Sequence, residues 1–423
     1  MSERVLGATV PWWREPTKDQ WYAFTAAWLG WTLDAFDFTV FLFIIGPIAK
    51  EFNSSTALVA LVGTATLFMR LGGAVAAGWM ADRMGRRGPL MISILWYSIC
   101  NFIAGFSPTF IFLLVVRAIL GIGMGAEWPA GAALANESWP VRSRGLMSAV
   151  LQGSWALGYA LSAVLYWAFF ETIGWRGMLW LGIVPALAVV WIRLYVKEPE
   201  VWVENQRQQK EAKKEVKVPL AALFRKDLIW TTVSVTWWLI SAYWVYYSLF
   251  FLLVLYLTTV QHMTAAEIGP AMIGTNLVTF AFSFVWGGLT DKIGRRWAMI
   301  IPAFLGMFVT PMYLLSSDHT IIALGIIIQG AFAGCIYGIN PSYANERFPT
   351  EVRATGAGFC VHVGSCAGGL VGPVLLYFTS LYQTTLAMPL LISTLIGLVS
   401  FIVTLMFSPE TKGQELKSEL TLH

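Results

Sequence analysis

Charge is what this chain has least of. Asp, Glu, Lys and Arg make up 12% of the sequence, about half of the roughly 25% usual in soluble proteins, so an ordinary soluble protein is excluded. Catalytic and metal-binding signatures are missing too. There is no H-E-x-x-H, no Walker-type glycine loop and no nucleophile elbow, which removes the commonest metalloprotease, nucleotide-hydrolysing and hydrolase chemistries. The four cysteines, Cys100, Cys335, Cys360 and Cys366, lie in apolar stretches without metal-type spacing and read as packing residues. No metal or cofactor is expected. The net charge of +4 is too small and dispersed to point to nucleic acid. Nor does any apolar core precede Trp21, because Arg4, Arg14, Glu15, Lys18 and Asp19 occupy that region; no cleavable signal peptide is expected, and the first span itself serves as the targeting signal.

Hydrophobic residues, by contrast, reach 57%, and the 423 residues are best counted in membrane spans of about 20 residues. Apolar stretches predict helices at 20–50, 57–81, 88–106, 109–136, 141–171 and 174–196, then at 228–260, 265–290, 297–316, 320–346, 351–381 and 384–407. The expectation is an all-α membrane protein of twelve transmembrane helices in two six-helix bundles, residues 1–196 and 228–423, the second with a short tail. Residues 197–227 contain Glu198-Pro199-Glu200 and a highly charged run from Gln206 to Lys217, too polar to span, and read as a solvated linker with some amphipathic helix. Lys50 and Arg176 fall on the side opposite the linker and Arg70 and Arg117 inside spans, while all other Lys and Arg fall on the linker side. By the positive-inside rule the linker and both termini are cytoplasmic, in a plasma or bacterial inner membrane.

The two groups of helices repeat one another. Gly78-Trp-Met-Ala-Asp82-Arg-Met-Gly85-Arg86-Arg87 recurs as Gly287-Gly-Leu-Thr-Asp291-Lys-Ile-Gly294-Arg295-Arg296, and Glu137-Ser-Trp-Pro140-Val-Arg-Ser-Arg144 recurs as Glu346-Arg-Phe-Pro349-Thr-Glu-Val-Arg353, both at an offset of 209 residues. Two motifs at one offset indicate a duplicated unit, and parallel repeats of this kind place a substrate site near the midplane between the halves.

The charges inside the spans mark where that site lies. Asp34 and Asp37 are three residues apart and share a helix face. Arg70, Arg117 and Glu127 join them in the first half, whereas the positions at the repeat offset are Tyr243, Tyr246, Thr279, Ile326 and Ile336. A charge at bilayer depth costs at least ~2.5 kcal/mol, so five of them call for a purpose. The pattern predicts an N-terminal half that handles protons and substrate charge and a C-terminal half that supplies a neutral, aromatic and hydrogen-bonding wall. A permanent ion pair between Arg117 and one carboxylate, serving packing alone, is the alternative. On the C-terminal side Tyr243, Tyr246, Asn276, Gln329, Asn340 and His362 are the polar candidates, His362 either as a titrating or as a structural histidine.

The repeated G-x-x-x-D-R-x-G-R-R motif, its echo at Gly287–Arg296 and Pro409-Glu-Thr-Lys-Gly413 resemble the major facilitator superfamily. Within it, Gln20-Trp21-x-Ala-Phe-x-Ala-Ala-Trp28, Leu33-Asp34-Ala-Phe-Asp37-Phe, Glu137-Ser-Trp-Pro140 and Gly174-Trp175-Arg176 resemble the sialate:proton symporter family, which groups sialic acid permeases with lactate and pyruvate permeases. The run Arg117-Ala-Ile-Leu-Gly121-Ile-Gly-Met-Gly125-Ala-Glu127-Trp128 resembles the superfamily's proton-coupled pattern, and Met147–Tyr159, containing Gln152, looks like the lactate branch. The resemblance implies proton-coupled uptake of a monocarboxylate; since nothing in the two halves requires a partner to complete the site, a functional monomer is expected. Asp34, Asp37 and Glu127 are the proton-coupling candidates. Arg117, Arg70, Trp128, Gln152, Tyr243, Tyr246, Asn276, Asn340 and His362 are the substrate candidates. Asp82, Arg86, Arg87, Glu137, Arg144, Asp291, Arg295, Arg296, Glu346 and Arg353 are expected to gate the conformational change. Another organic acid, a sugar, uniport, and a sensor that binds without transporting remain alternatives; an integral membrane enzyme would need a catalytic set that is missing.

Overall fold

The computed structural model describes residues 11–54, 56–212, 219–250 and 252–416; the rest of the linker run, at 213–218, and the end of the tail lie outside the described residues. Described residues form helices and no strands. In chain order these are α1 (Lys18–Glu51), α2 (Thr56–Met84), α3 (Arg87–Ala104), α4 (Phe110–Gly125), α5 (Glu127–Ser138), α6 (Arg144–Trp180) and α7 (Ala186–Tyr195). The linker contributes α8 (Glu200–Ala212) and α9 (Pro219–Ala222). There follow α10 (Ile229–Phe250), α11 (Leu252–Thr259), α12 (Ala265–Ile293), α13 (Arg295–Leu314), α14 (His319–Ala331), α15 (Asn340–Arg347), α16 (Arg353–Gly368), α17 (Val371–Leu381) and α18 (Ala387–Met406).

Among the described residues nine helical stretches are long and apolar enough to cross a membrane. The expected spans at 88–106, 228–260 and 351–381 are helical but fall outside that set, each for a visible reason. Helix α3 carries Arg87, Ser93, Ser98 and Asn101. Helix α10 is dense in indole and phenol groups, which are only weakly apolar. Helix α16 ends after 16 residues at the Gly368-Gly369 pair.

Besides the break of 351–381 between α16 and α17 and that of 174–196 between α6 and α7, two expected helices are interrupted at equivalent places in the two repeats. Between α4 and α5, Pro129 has no N–H to offer the Gly125 carbonyl, so Ala126 turns tightly onto Gly123 (3.1 Å) and the helix restarts with Ala130 N–H donating to Ala126. Between α14 and α15 the backbone turns at Phe332, and the freed Gly330 carbonyl accepts from the Cys335 thiol (2.9 Å) and the Thr279 hydroxyl (3.1 Å). Irregular backbone is tolerated at such depth only when protein groups replace the lost bonds. In α6 the chain passes without a loop through Gly174, whose φ of 63° a side chain would strain. The Trp175 indole (2.5 Å) and the Arg176 guanidinium (2.5 Å) then donate to Glu51 at the end of α1, which ties that turn to the first helix.

Packing follows the repeat. Helix α1 lies against α6 and α2 against α4; at the offset, α10 lies against α16 and α12 against α14. The α2–α4 crossing is close because Gly125 rests directly on the Arg70 carbonyl. The most extensive contacts between the repeats are α2 with α16 and α6 with α12, and α5 adds α15 and α16.

Candidate functional site

The five buried charges of the first repeat divide into two groups rather than one. In the first, Arg70 Nη2 of α2 donates to Asp34 Oδ2 of α1 at 2.6 Å, with both side chains nearly inaccessible. The carboxyl of Glu127, in the first turn of α5, packs against Gly30, one turn before Asp34 on α1, and the charges acting on it are those of Asp34 and Arg70. Neither Glu127 oxygen has a hydrogen-bond partner, nor has Asp34 Oδ1. Glu127 is 1% exposed, so an ionised carboxylate there would stand in the interior without a compensating group.

The second group sits on α1, α3 and α4. Asn101 donates through Nδ2 to Asp37 Oδ1 (3.1 Å) and accepts at Oδ1 from Arg117 Nη1 (3.0 Å). The Arg117 guanidinium lies 4.4 Å over the Phe41 ring, and its Nε and Nη2 are unpartnered. Among the described residues the partners of Arg117, namely Asn101, Thr66 and Phe41, belong to the first repeat. Arg70 differs: its helix α2 packs against α16 of the second repeat, which brings Tyr243 and Tyr247 of α10 and His362 and Cys366 of α16 within range of its charge.

The other candidates are scattered around this boundary. Tyr243 and Tyr246 gather about Tyr337, with ring centroids 6.2 and 5.1 Å away, and the Tyr337 hydroxyl donates to the Ala242 carbonyl. Trp128 is buried with Phe24, Ala27 and Trp31; Trp31 in turn meets Trp155 at 5.0 Å. Gln152 Oε1 and Asn340 Oδ1 are buried without partners. Asn276 spends its amide on its own helix, donating to Met272 at 2.8 Å. His362 Nδ1 bonds the Gly358 carbonyl at 2.8 Å. Gln329 donates to Thr310 (3.0 Å) and lines a small apolar recess with Leu249, Met272 and Tyr313, apart from Arg70.

On the linker side the repeated motifs form two matching networks. Arg86 donates through Nε (2.9 Å) and Nη2 (2.8 Å) to Glu137 and through Nη1 to Asp82 (3.0 Å). Arg353, from the other repeat, donates to Glu137 at 2.6 Å, and the Asp82 carboxylate accepts from the amides of Ala354 (3.1 Å) and Thr355 (2.9 Å) at the start of α16, a favourable place for an anion. In the counterpart, Arg295 donates to Glu346 (3.2 and 3.0 Å) and Asp291 (2.5 Å), and Asp291 accepts from the amides of Gly145 and Leu146, both at 3.1 Å. Arg144 stands 3.7 Å from Glu346. Arg87 and Arg296 reach carbonyls at the ends of neighbouring helices, Val196 (3.1 Å) for the former and Leu405 (2.8 Å) and Met406 (2.6 Å) for the latter.

A family model described as Major Facilitator Superfamily matches residues 27–275 and again 242–421. The chain belongs to the Major Facilitator Superfamily. It is a multi-pass membrane transporter, not an enzyme. It is 30% identical to a probable 4-methylmuconolactone transporter of Cupriavidus pinatubonensis, with 85% of each chain covered. It is 28% identical to the sialic acid transporter NanX of Escherichia coli, covering 94% of each, and 28% identical to a cis,cis-muconate transport protein of Acinetobacter baylyi, covering 84% of this chain and 86% of that one. Among solved structures, the proton:xylose symporter XylE bound to 6-bromo-6-deoxy-D-glucose superimposes with a TM-score of 0.77 over 94% of this chain and 98% of that one, at 19% identity, a likeness of fold.

Several residues of this superfamily member escaped the sequence reading. Asn101 is polar at membrane depth and was open to the same argument as Asn276 and Asn340. Tyr337 lies among small residues and announces nothing. Glu198 accepts from the amides of Arg86 (2.7 Å) and Arg87 (3.0 Å), and Glu410 from those of Arg295 (2.8 Å) and Arg296 (3.1 Å). Burial pushes the Glu198 carboxyl above its usual range, against the pull of those two amides and the Arg86 charge. Glu198 and Glu410 are equivalent but stand 212 rather than 209 residues apart, so a search at a fixed offset passes over them.

Proposed function

We propose that this transporter carries a small organic anion into the cell together with a proton. It has twelve spans in two six-helix bundles, residues 1–196 and 228–423, joined by a cytoplasmic linker at 197–227, and both termini are cytoplasmic. One observation carries the reading: Arg70, paired with Asp34, is a buried cation at span depth on α2, the helix that packs against α16 of the opposite repeat. A substrate bound between the bundles therefore meets its guanidinium, which grips a carboxylate with two parallel hydrogen bonds.

Asp34 and the substrate compete for Arg70. When Asp34 takes a proton from outside, Arg70 is released to the substrate carboxylate, and the loaded site is close to neutral, which favours occlusion. On release inside, Glu127, which packs against the turn before Asp34 with both oxygens unengaged, gives up its own proton and takes the one from Asp34 as Asp34 returns to Arg70. Asp37 and Arg117 form the second element of the coupling. Release inside returns Arg70 to Asp34. Trp128, Gln152, Tyr243, Tyr246, Asn340 and His362 shape the neutral part of the pocket, and Asn276 tunes it from its own helix. The Asp82–Glu137–Arg353 and Asp291–Glu346–Arg144 networks hold the cytoplasmic side shut and part when the carrier faces inward. No second chain is needed to complete the site.

Muconate, sialic acid and niacin appear in the names of relatives that match most of this chain, which supports an organic acid, and a monocarboxylate of the sialic acid or lactate type fits one arginine. The test is uptake of labelled sialic acid, lactate, nicotinate and cis,cis-muconate by purified protein in proteoliposomes with an alkaline interior. Accumulation of at least one acid, abolished by a protonophore, is the expected result. Uptake indifferent to the pH gradient would refute coupling, and transport of neutral sugars alone would refute the anion.

A further inference from the structure

Asp37 and Arg117 are both fully buried, yet they are not within the 4.0 Å of a direct ion pair. One amide stands between them. Its orientation is the only one the two neighbours permit: a carboxylate can only accept and a guanidinium only donate, so Asn101 turns Nδ2 to Asp37 and Oδ1 to Arg117. At the 209-residue offset Asp37, Asn101 and Arg117 are replaced by Tyr246, Thr310 and Ile326; without charges to separate, no amide is needed at that position.

We propose that Asn101 is a positioning residue for proton coupling: a neutral spacer that supplies Asp37 with a donor and keeps Arg117 from closing on it. The proposal rests on the reading of Asp37 and Arg117 as part of the coupling machinery. Coulomb attraction falls in inverse proportion to separation, and a direct pair here, where no substrate carboxylate takes over the arginine as it does at Arg70, would hold Asp37 ionised. Held one amide apart, Asp37 keeps the support of a hydrogen bond and a distant cation while remaining able to take up and lose a proton. The other titratable or charged groups around it are Asp34 on α1, Arg70 on α2, Tyr97 and Cys100 on α3, Arg117 on α4 and Glu127 on α5. None of them touches the second carboxylate oxygen, which is unpartnered.

Donor and spacer make opposite predictions when separated. Asn101→Leu keeps the volume and removes the donor, so the ionised form of Asp37 loses support and its proton is held more tightly. Asn101→Ala removes the volume as well, which lets Arg117 close onto Asp37 and favours the ionised form. Asn101→Asp, isosteric and least disturbing to the fold, places a like charge against Asp37 and should exceed Asn101→Leu.

The readout is an infrared pH titration of the full-length protein in lipid, following the protonated-carboxyl band that is missing in Asp37→Asn. The expected midpoint moves to higher pH by a unit or more, tenfold in proton affinity, in Asn101→Leu and further in Asn101→Asp, and to lower pH in Asn101→Ala. Uptake of whichever labelled acid the wild type carries should shift its pH profile in the same directions. Shifts of one sign in the Leu and Ala variants, or none in all three, overturn the proposal. Because the infrared titration needs no substrate, a carrier that transports none of the acids offered would defeat the proposed function while leaving this inference decided by the spectra.

Discussion

The two linker-side networks match in composition but not in tightness, and this asymmetry can be measured. Glu137 accepts three bonds, from Arg86 Nε (2.9 Å), Arg86 Nη2 (2.8 Å) and Arg353 Nη1 (2.6 Å). The carboxylate of Glu346 is instead filled by Arg295 and by the Thr411 hydroxyl at 2.6 Å. Arg144 remains 3.7 Å away with its Nε unpartnered, beyond hydrogen-bond length. Breaking a buried ion pair costs about 3–5 kcal/mol. Because Arg86 still serves Glu137 when Arg353 is lost, the lower end, about 3 kcal/mol, applies to Arg353→Gln. Arg144→Gln gives up that long contact and one ordinary bond across the repeats, to the Gln414 carbonyl at 3.2 Å, its other bond being to Trp139 of its own repeat, for which about 1 kcal/mol is appropriate. The difference of about 2 kcal/mol is roughly 30-fold in the equilibrium between states closed and open on the linker side. Spin labels at Met84 and Ile293, both exposed and separated by the repeat offset, report that opening as a distance distribution by pulsed electron resonance. Arg353→Gln should move most of the population to longer distances, while Arg144→Gln should move little. Equal shifts, or a larger one for Arg144→Gln, would refute the argument from bond lengths.

Three further outcomes follow from the buried charges. Arg70→Lys should raise the apparent KM for the anion about 10- to 100-fold, since an ammonium lacks the two-pronged fork, whereas Arg117→Lys should chiefly displace the pH profile; initial rates across substrate concentration and pH separate the two, and equal KM effects would contradict the split into groups. Glu127→Gln should keep its thermal midpoint in detergent, because an amide suits a site without counter-charge, and should lose uphill accumulation while retaining substrate exchange; undiminished accumulation would move the proton site to Asp34 or Asp37. Tyr243→Phe and Asn340→Ala should change which acids are carried without moving the pH midpoint, since neither residue titrates near neutrality, and a shift of a unit or more would show that the second repeat takes part in coupling.

The amino-acid sequence alone determined the class of this protein. A 57% apolar composition with ionised groups confined to loops and a few buried positions leaves lipid as the only suitable solvent, and the constant 209-residue offset exposes the duplication because each motif is local. For the same reason the linker-side residues were legible as a set: Asp82, Arg86 and Glu137 occur in short, repeated strings. Partner choice was not legible. Asp34 and Asp37 share one helix face, yet one meets Arg70 and the other turns toward Asn101 and Arg117, because helices α2 and α3 approach α1 from different sides. That direction is set by packing such as the seat of Gly125 on the Arg70 carbonyl, between residues far apart in the chain. The tertiary structure likewise decided which arginine lies on a helix packed against the second repeat, and it placed an amide between Asp37 and Arg117, where the sequence had left a direct pair between Arg117 and one carboxylate as an alternative. Hydropathy and spacing report depth along a helix; only packing reports rotation about it, and rotation decides which charges meet.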